Sequence, residues 1–160
     1  TGDYVAFAQY KIFGGDPANL LRRLVISEWD DTTGFGANVS RNLNDGTSWH
    51  KGVRWSPDNK SIVLAGTTAP YVKAFAWDND TGVVGPALPN TATTTGVVAN
   101  YVNFNTAGDV VFVALNNSKL IAAYEYDSTT GFGAKYDDPD LTGFPTSGPF
   151  ASGIDYKDFG

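Results

Sequence analysis

Three times along this 160-residue chain an aromatic residue is followed directly by aspartate and, five positions on, by glycine. The segments are Trp29-Asp30-Asp31-Thr32-Thr33-Gly34, Trp77-Asp78-Asn79-Asp80-Thr81-Gly82 and Tyr126-Asp127-Ser128-Thr129-Thr130-Gly131, so the glycines fall 48 and 49 residues apart. A fixed period of this length marks an architecture assembled from copies of one supersecondary unit, none of which can bury its apolar face alone. Upstream of each segment lies an apolar run: Tyr4-Val5-Ala6-Phe7-Ala8, Ile62-Val63-Leu64-Ala65 and Val110-Val111-Phe112-Val113-Ala114. Such near-continuous hydrophobicity suits a strand covered on both faces. The run and its aromatic are 12 residues apart in the second and third copies, Ala65 to Trp77 and Ala114 to Tyr126, but 21 apart in the first, Ala8 to Trp29. The first copy therefore carries a nine-residue insertion, marked by Phe13-Gly14-Gly15-Asp16-Pro17.

Each copy reads as four short strands with turn residues between them, the pattern of a β-propeller blade. The innermost strands are Gly52-Val53-Arg54-Trp55, Asn100-Tyr101-Val102-Asn103-Phe104 and Gly153-Ile154-Asp155-Tyr156. The apolar runs are the second strands. The third, Leu24 to Trp29, Tyr71 to Trp77 and Leu120 to Tyr126, alternate as strands with one wetter face do. The outermost, Gly36-Ala37-Asn38-Val39, Gly85-Pro86-Ala87-Leu88 and Gly133-Ala134-Lys135-Tyr136, hold the Gly and Pro of edge strands that resist stray pairing. The expected fold class is all-β: three four-stranded antiparallel blades of 48 to 52 residues in one domain, 1–160. Blade 1 takes 153–160 plus 1–42, blade 2 takes 50–90 and blade 3 takes 98–141. In this staggered closure, Gly160 and Gly2 share one repeat position, and the C-terminal strand supplies the inner strand that the first blade lacks. Three blades fall short of the four to eight that close a ring, so the chain is expected to be half of a six-bladed ring of two chains, or a slice of a longer propeller. A β-prism of three sheets is the rival architecture. A 48-residue period exceeds the usual prism repeat, and the aromatic-Asp strand ends favour blades.

Composition narrows the function classes. Eleven Lys and Arg against 17 Asp and Glu give a net charge of −6, which repels polyphosphate and argues against nucleic acid as a partner. No apolar run approaches the roughly 20 residues of a membrane-spanning helix, so a soluble chain is expected, with no membrane partner. The absence of cysteine removes thiolate catalysis and cysteine-ligated metal, and the absence of methionine suggests a processed or excised segment.

The stretch from Val53 to Gly82, with Trp55-Ser56-Pro57-Asp58-Asn59 and Ala69-Pro70-Tyr71-Val72, resembles the repeats of WD40-like and lactonase-type propellers. Gly131-Phe132-Gly133-Ala134-Lys135-Tyr136-Asp137-Asp138-Pro139, Thr68-Ala69-Pro70-Tyr71-Val72 and, in part, Gly34-Phe35-Gly36-Ala37-Asn38 resemble the tandem blades of tailed-bacteriophage virion proteins. That resemblance implies a virion component such as a capsid decoration, tail or receptor-binding protein, located in the particle or outside the cell, with itself or other virion proteins as partners. Fold likeness does not fix function, because propellers host unrelated activities.

The residues offer little catalytic chemistry. His50 is the single histidine, which rules out a histidine-rich metal site. The aspartates at 30, 31, 78, 80 and 127 recur at turns, where Asx side chains bond their own backbone. Asp137-Asp138-Pro139-Asp140 lacks the spaced loop of a known calcium site. No enzyme activity, cofactor or metal is expected. Candidate contacts to a ligand or partner are Phe13, Trp49 and Phe144, loop aromatics able to stack on sugar faces, together with His50 beside Trp49 and the Arg22-Arg23 pair, able to clamp a carboxylate. A surface glycan is the corresponding partner. A carbohydrate-binding propeller is the first alternative to a structural role, and a lactonase-like hydrolase the second.

Overall fold

The computed structural model describes residues 3–8, 23–42, 50–67, 69–90, 96–117, 120–142 and 151–157. These residues form eleven antiparallel strands in three sheets. The first sheet is β1 (Asp3–Ala8), β2 (Arg23–Asp30) and β3 (Gly34–Asn42). The second is β4 (His50–Trp55), β5 (Ser61–Gly66), β6 (Val72–Asp78) and β7 (Val83–Ala87). The third is β8 (Ala99–Phe104), β9 (Val110–Leu115), β10 (Ile121–Asp127) and β11 (Gly131–Lys135). Strand order follows chain order in every sheet, the meander of a propeller blade.

Repetition in sequence becomes repetition in geometry. Each Asp after the strand-end aromatic accepts two backbone N–H groups across its turn: Asp30 from Thr32 and Thr33, Asp78 from Asp80 and Thr81, Asp127 from Thr129 and Thr130, at 2.8 to 3.3 Å. These bonds hold all three carboxyls below the usual aspartate range, led by the Thr33 amide at Asp30, the Thr81 hydroxyl at Asp78 and the Thr129 hydroxyl at Asp127. The glycine that ends each turn has positive φ, 80° at Gly34, 67° at Gly82 and 86° at Gly131, which explains why it recurs. One bulge also recurs: the outer strand sets two residues, Gly36-Ala37, Gly85-Pro86 and Gly133-Ala134, against a single third-strand residue, Glu28, Ala76 and Glu125. Between inner and second strands, the Ser56 hydroxyl accepts the Ser61 amide and the Asn105 side-chain oxygen accepts the Val110 amide, two chemistries for one turn.

The core lies between sheets rather than within one. One apolar cluster joins Leu24 and Ile26 of the first sheet to Ile62, Leu64, Phe75 and Trp77 of the second. The other joins Val63, Ala65, Val72 and Ala74 to Val102, Val111, Val113, Tyr124 and Tyr126 of the third. Successive residues of β5 thus face different neighbours, and all six are buried. The inner strands β4 and β8 approach so closely that a Cβ on Gly52 would stand 2.9 Å from the Tyr101 Cα.

Two departures from the sequence expectations concern the first blade. Its outer strand spans nine residues, from the turn glycine to Asn42, and is the longest strand described. Among the described residues the first sheet has three strands and no inner strand. Residues 151–157 form no ladder with β1. They run over the third sheet, where the Asn100 side chain donates to the Ala151 carbonyl at 2.8 Å, the Ala151 amide donates to the Leu115 carbonyl at 3.2 Å and Tyr156 stacks on Phe112 at 5.5 Å. Among the described residues the staggered closure expected from the repeat alignment is not seen within one chain, and residues 151–157 lie on the opposite flank.

Two substitutions separate local from tertiary constraint. Gly34→Ala meets only the Trp29 ring at 4.0 Å and suffers the left-handed backbone alone, about 1 to 2 kcal/mol. Gly131→Ala places its Cβ 2.1 Å from the Pro89 carbonyl oxygen and should cost about 3 kcal/mol or more, read from urea unfolding midpoints. The blade 2 to blade 3 joint is tested at Tyr126, whose hydroxyl donates to the buried Ser61 hydroxyl at 2.8 Å. Burial pushes the Tyr126 phenol up to about 12. Folding thus prefers the neutral phenol, a contribution complete below the unfolded value near pH 10 and lost as pH rises through about 12. Tyr126→Phe should cost about 1 to 2 kcal/mol at neutral pH, and this penalty should shrink between about pH 10 and 12 in unfolding curves taken across that range.

Candidate functional site

A cavity of about 590 Å³ opens between the first two blades at the start of β1. Tyr4 and Trp29 come from the first blade, Trp55 and Trp77 from the second, with Asp3, Asn59 and Asn79 at the rim. The repeat places them here: Trp29 and Trp77 are the strand-end aromatics, Trp55 closes an inner strand, and Tyr4 opens a second strand. Trp77 is the hub, edge-to-face with Tyr4 at 5.2 Å and with Trp55 at 5.7 Å. Trp29 pairs edge-to-face with Phe35 at 5.1 Å and donates its indole N–H to Asp31 at 2.9 Å. The Trp55 indole nitrogen is shielded from solvent and finds no acceptor among the described residues.

Adjacent positions on a strand point to opposite faces. Trp29 is paired in register with Asp3 and Glu28 with Tyr4, so Tyr4 and Trp29 stand on opposite faces of the first sheet. A cavity lined by both wraps around the free edge of β1. Its chemistry is that of recognition: aromatic faces for stacking, an indole N–H without an acceptor, and carboxylate and amide groups at the mouth.

The equivalent joint between blades 2 and 3 is bridged by hydrogen bonds. There the Tyr126 hydroxyl reaches Ser61, and the Ser128 hydroxyl donates at 2.6 Å to Asp58, whose other oxygen accepts the Ser56 hydroxyl at 2.6 Å. Burial works to raise the Asp58 carboxyl, but the Ser128 and Ser56 hydroxyls and the Lys60 amide outweigh it and leave it below its ordinary range.

The residues singled out from sequence are placed unevenly. Phe13, Arg22, Trp49 and Phe144 lie outside the described residues, and of Arg23 only the backbone, the first residue of β2, is described. His50 is 2% exposed at the start of β4, opposite Gly66, inside the fold rather than on a face open to a ligand. The Asp137 to Asp140 segment is exposed, with Asp138 paired to Lys135 and Asp140 accepting the Thr142 amide at 2.9 Å. Sequence reading missed Tyr4, Trp29, Trp55 and Trp77 as a group. The available signal was that strand-end and inner-strand aromatics share one repeat level.

Neither a family profile nor a curated protein sequence matches the chain. Among solved structures it is similar to a candidate 6-phosphogluconolactonase from Bacteroides fragilis NCTC 9343 and to another from Bacteroides uniformis ATCC 8492, each with a TM-score of 0.55. The first is 18% identical and aligns over 71% of this chain and 31% of its own, and the second is 14% identical over 74% and 38%. The chain thus spans about a third of the length of these structures. At such identity the likeness establishes the fold alone: the chain is a run of consecutive β-propeller blades.

Proposed function

We propose that this chain is a non-enzymatic structural and binding module, a set of propeller blades that serves as a building or attachment part of a tailed-phage particle. The observation that carries the reading is where the polar chemistry goes. Asp30, Asp78 and Asp127 are committed to their own turns, and Asp58 to the joint between two blades. What remains on the flank of the first blade is a strand edge that no described strand pairs, beside an apolar face with Phe7 47% and Phe35 66% exposed. Surfaces of that kind serve packing against a neighbour. The likeness of the repeats to virion blades supplies the setting.

A carbohydrate-binding role is the second reading, favoured by the four aromatic rings of the cleft. Two assays separate the readings. The purified chain should leave 6-phosphogluconolactone hydrolysis at the buffer rate, and an antibody to the chain should label intact particles from phage whose genome encodes it. Saturable hydrolysis, or particles without the protein, would sink the proposal. Glycan-array binding abolished by Trp29→Ala would establish the second reading in its place.

A further inference from the structure

The cleft and the loose C-terminal segment answer one another. Aligned on the repeat, Tyr156 corresponds to Trp55 and Phe104, the aromatics that close the inner strands β4 and β8. In each complete blade that aromatic sits edge-to-face on its own strand-end aromatic, Trp55 on Trp77 at 5.7 Å and Phe104 on Tyr126 at 5.2 Å. The third such pair, Tyr156 with Trp29, is unmade. Instead Tyr156 lies on Phe112, 37% exposed, and the inner side of Trp29 faces the cavity.

Residues 151–157 already sit where the inner strand of a following blade belongs. The Asn103 amide donates to the Ile154 carbonyl at 3.3 Å, and Asn103 occupies the repeat position of Arg54, whose guanidinium lies over the next inner strand at Tyr101, 5.7 Å from the ring centroid. On the other flank, Val5, Phe7 and Trp29 share one face of the first sheet, shown by their register partners Ser27, Val25 and Asp3. They align with Ile62, Leu64 and Trp77, the face that blade 2 packs on the blade before it.

We infer that residues 153–157 of a second copy of this chain complete the first sheet, and that the exchange is reciprocal. The register follows from blade 2, where Val53, Arg54 and Trp55 oppose Leu64, Val63 and Ile62. It sets Ile154 opposite Phe7, Asp155 opposite Ala6 and Tyr156 opposite Val5 of the other chain. The incoming ring fills the cleft against Trp29, and the incoming strand brings carbonyls within reach of the shielded Trp55 indole. Two copies joined this way close a six-bladed ring, within the range that propellers populate. The inference rests on the structural reading above and turns it into a named partner and register.

Absence of native cysteine makes the test clean. Chains bearing Ala6→Cys alone and Asp155→Cys alone are mixed and oxidised. Paired residues of adjacent strands lie about 5 Å apart at Cα, within disulfide range, so a mixed disulfide of twice 17.1 kDa is expected. An Asp3→Cys chain, three residues and about 10 Å out of register, should not cross-link. Light scattering should show a dimer of the natural chain, and Tyr156→Ala should weaken it about tenfold or more while leaving the far-UV spectrum of the monomer unchanged. A chain that stays monomeric at micromolar concentration, or a doubly substituted Ala6→Cys, Asp155→Cys chain that closes on itself, overturns the exchange. Lactone hydrolysis by a cross-linked dimer would instead sink the structural reading and leave the exchange standing.

Discussion

A sheet whose second strand is apolar on both sides is stable only between two neighbours, and everything else in this chain follows from that condition. In β5 it is met in full: Ile62 and Leu64 pack toward the first blade, Val63 and Ala65 toward the third, and none of the strand is exposed. Each large side chain buried this way contributes on the order of 1.5 to 3 kcal/mol, so a blade stripped of a neighbour loses a large part of what holds it. β1 carries the same kind of apolar run as β5, yet Asp3 to Phe7 are half-buried or exposed, because among the described residues one face and one edge of it have no partner.

Turn chemistry is the second tier. The aspartate cap and the positive-φ glycine fix where each third strand ends, and the recurring outer-strand bulge opposite Glu28, Ala76 and Glu125 adds strand twist. These devices are local, which is why they survive nearly unchanged in all three copies. The joints between blades are not. Blades 2 and 3 are bound by the Tyr126 to Ser61 and Ser128 to Asp58 hydrogen bonds, whereas blades 1 and 2 meet through the Tyr4, Trp55 and Trp77 rings. The two joints of the chain are therefore held by different chemistry, aromatic contact on one side of blade 2 and hydroxyl hydrogen bonds on the other.

Strand identity and order were legible in the sequence because period-2 patterning and turn residues are local signals. The apolar runs, the alternating third strands and the inner strands around Val53 and Val102 stand within a residue or two of their expected bounds. Of the aspartates read as turn caps, Asp30, Asp78 and Asp127 are turn caps, while Asp31 accepts the Trp29 indole instead. Less legible was the place of Gly153 to Tyr156: its pattern says inner strand, but a pattern does not say which sheet edge is within reach. The cleft was not legible either, since Tyr4, Trp29, Trp55 and Trp77 are spread over more than 70 residues and share only a level in the repeat. Loop aromatics are conspicuous in a sequence and drew attention to Phe13, Trp49 and Phe144, while strand aromatics read as core.

By itself, then, the sequence determined the unit: how long a blade is, where its strands and turns fall, and which residues cap them, because patterning and turn bonds are local. Only the tertiary structure decided how units meet. It placed residues 151–157 on the third blade and gathered four core-type aromatics into the lining of an open cleft. The physical reason is that packing between blades depends on which faces and edges remain uncovered once local structure has formed, and that is a property of the whole assembly of sheets rather than of any stretch of chain.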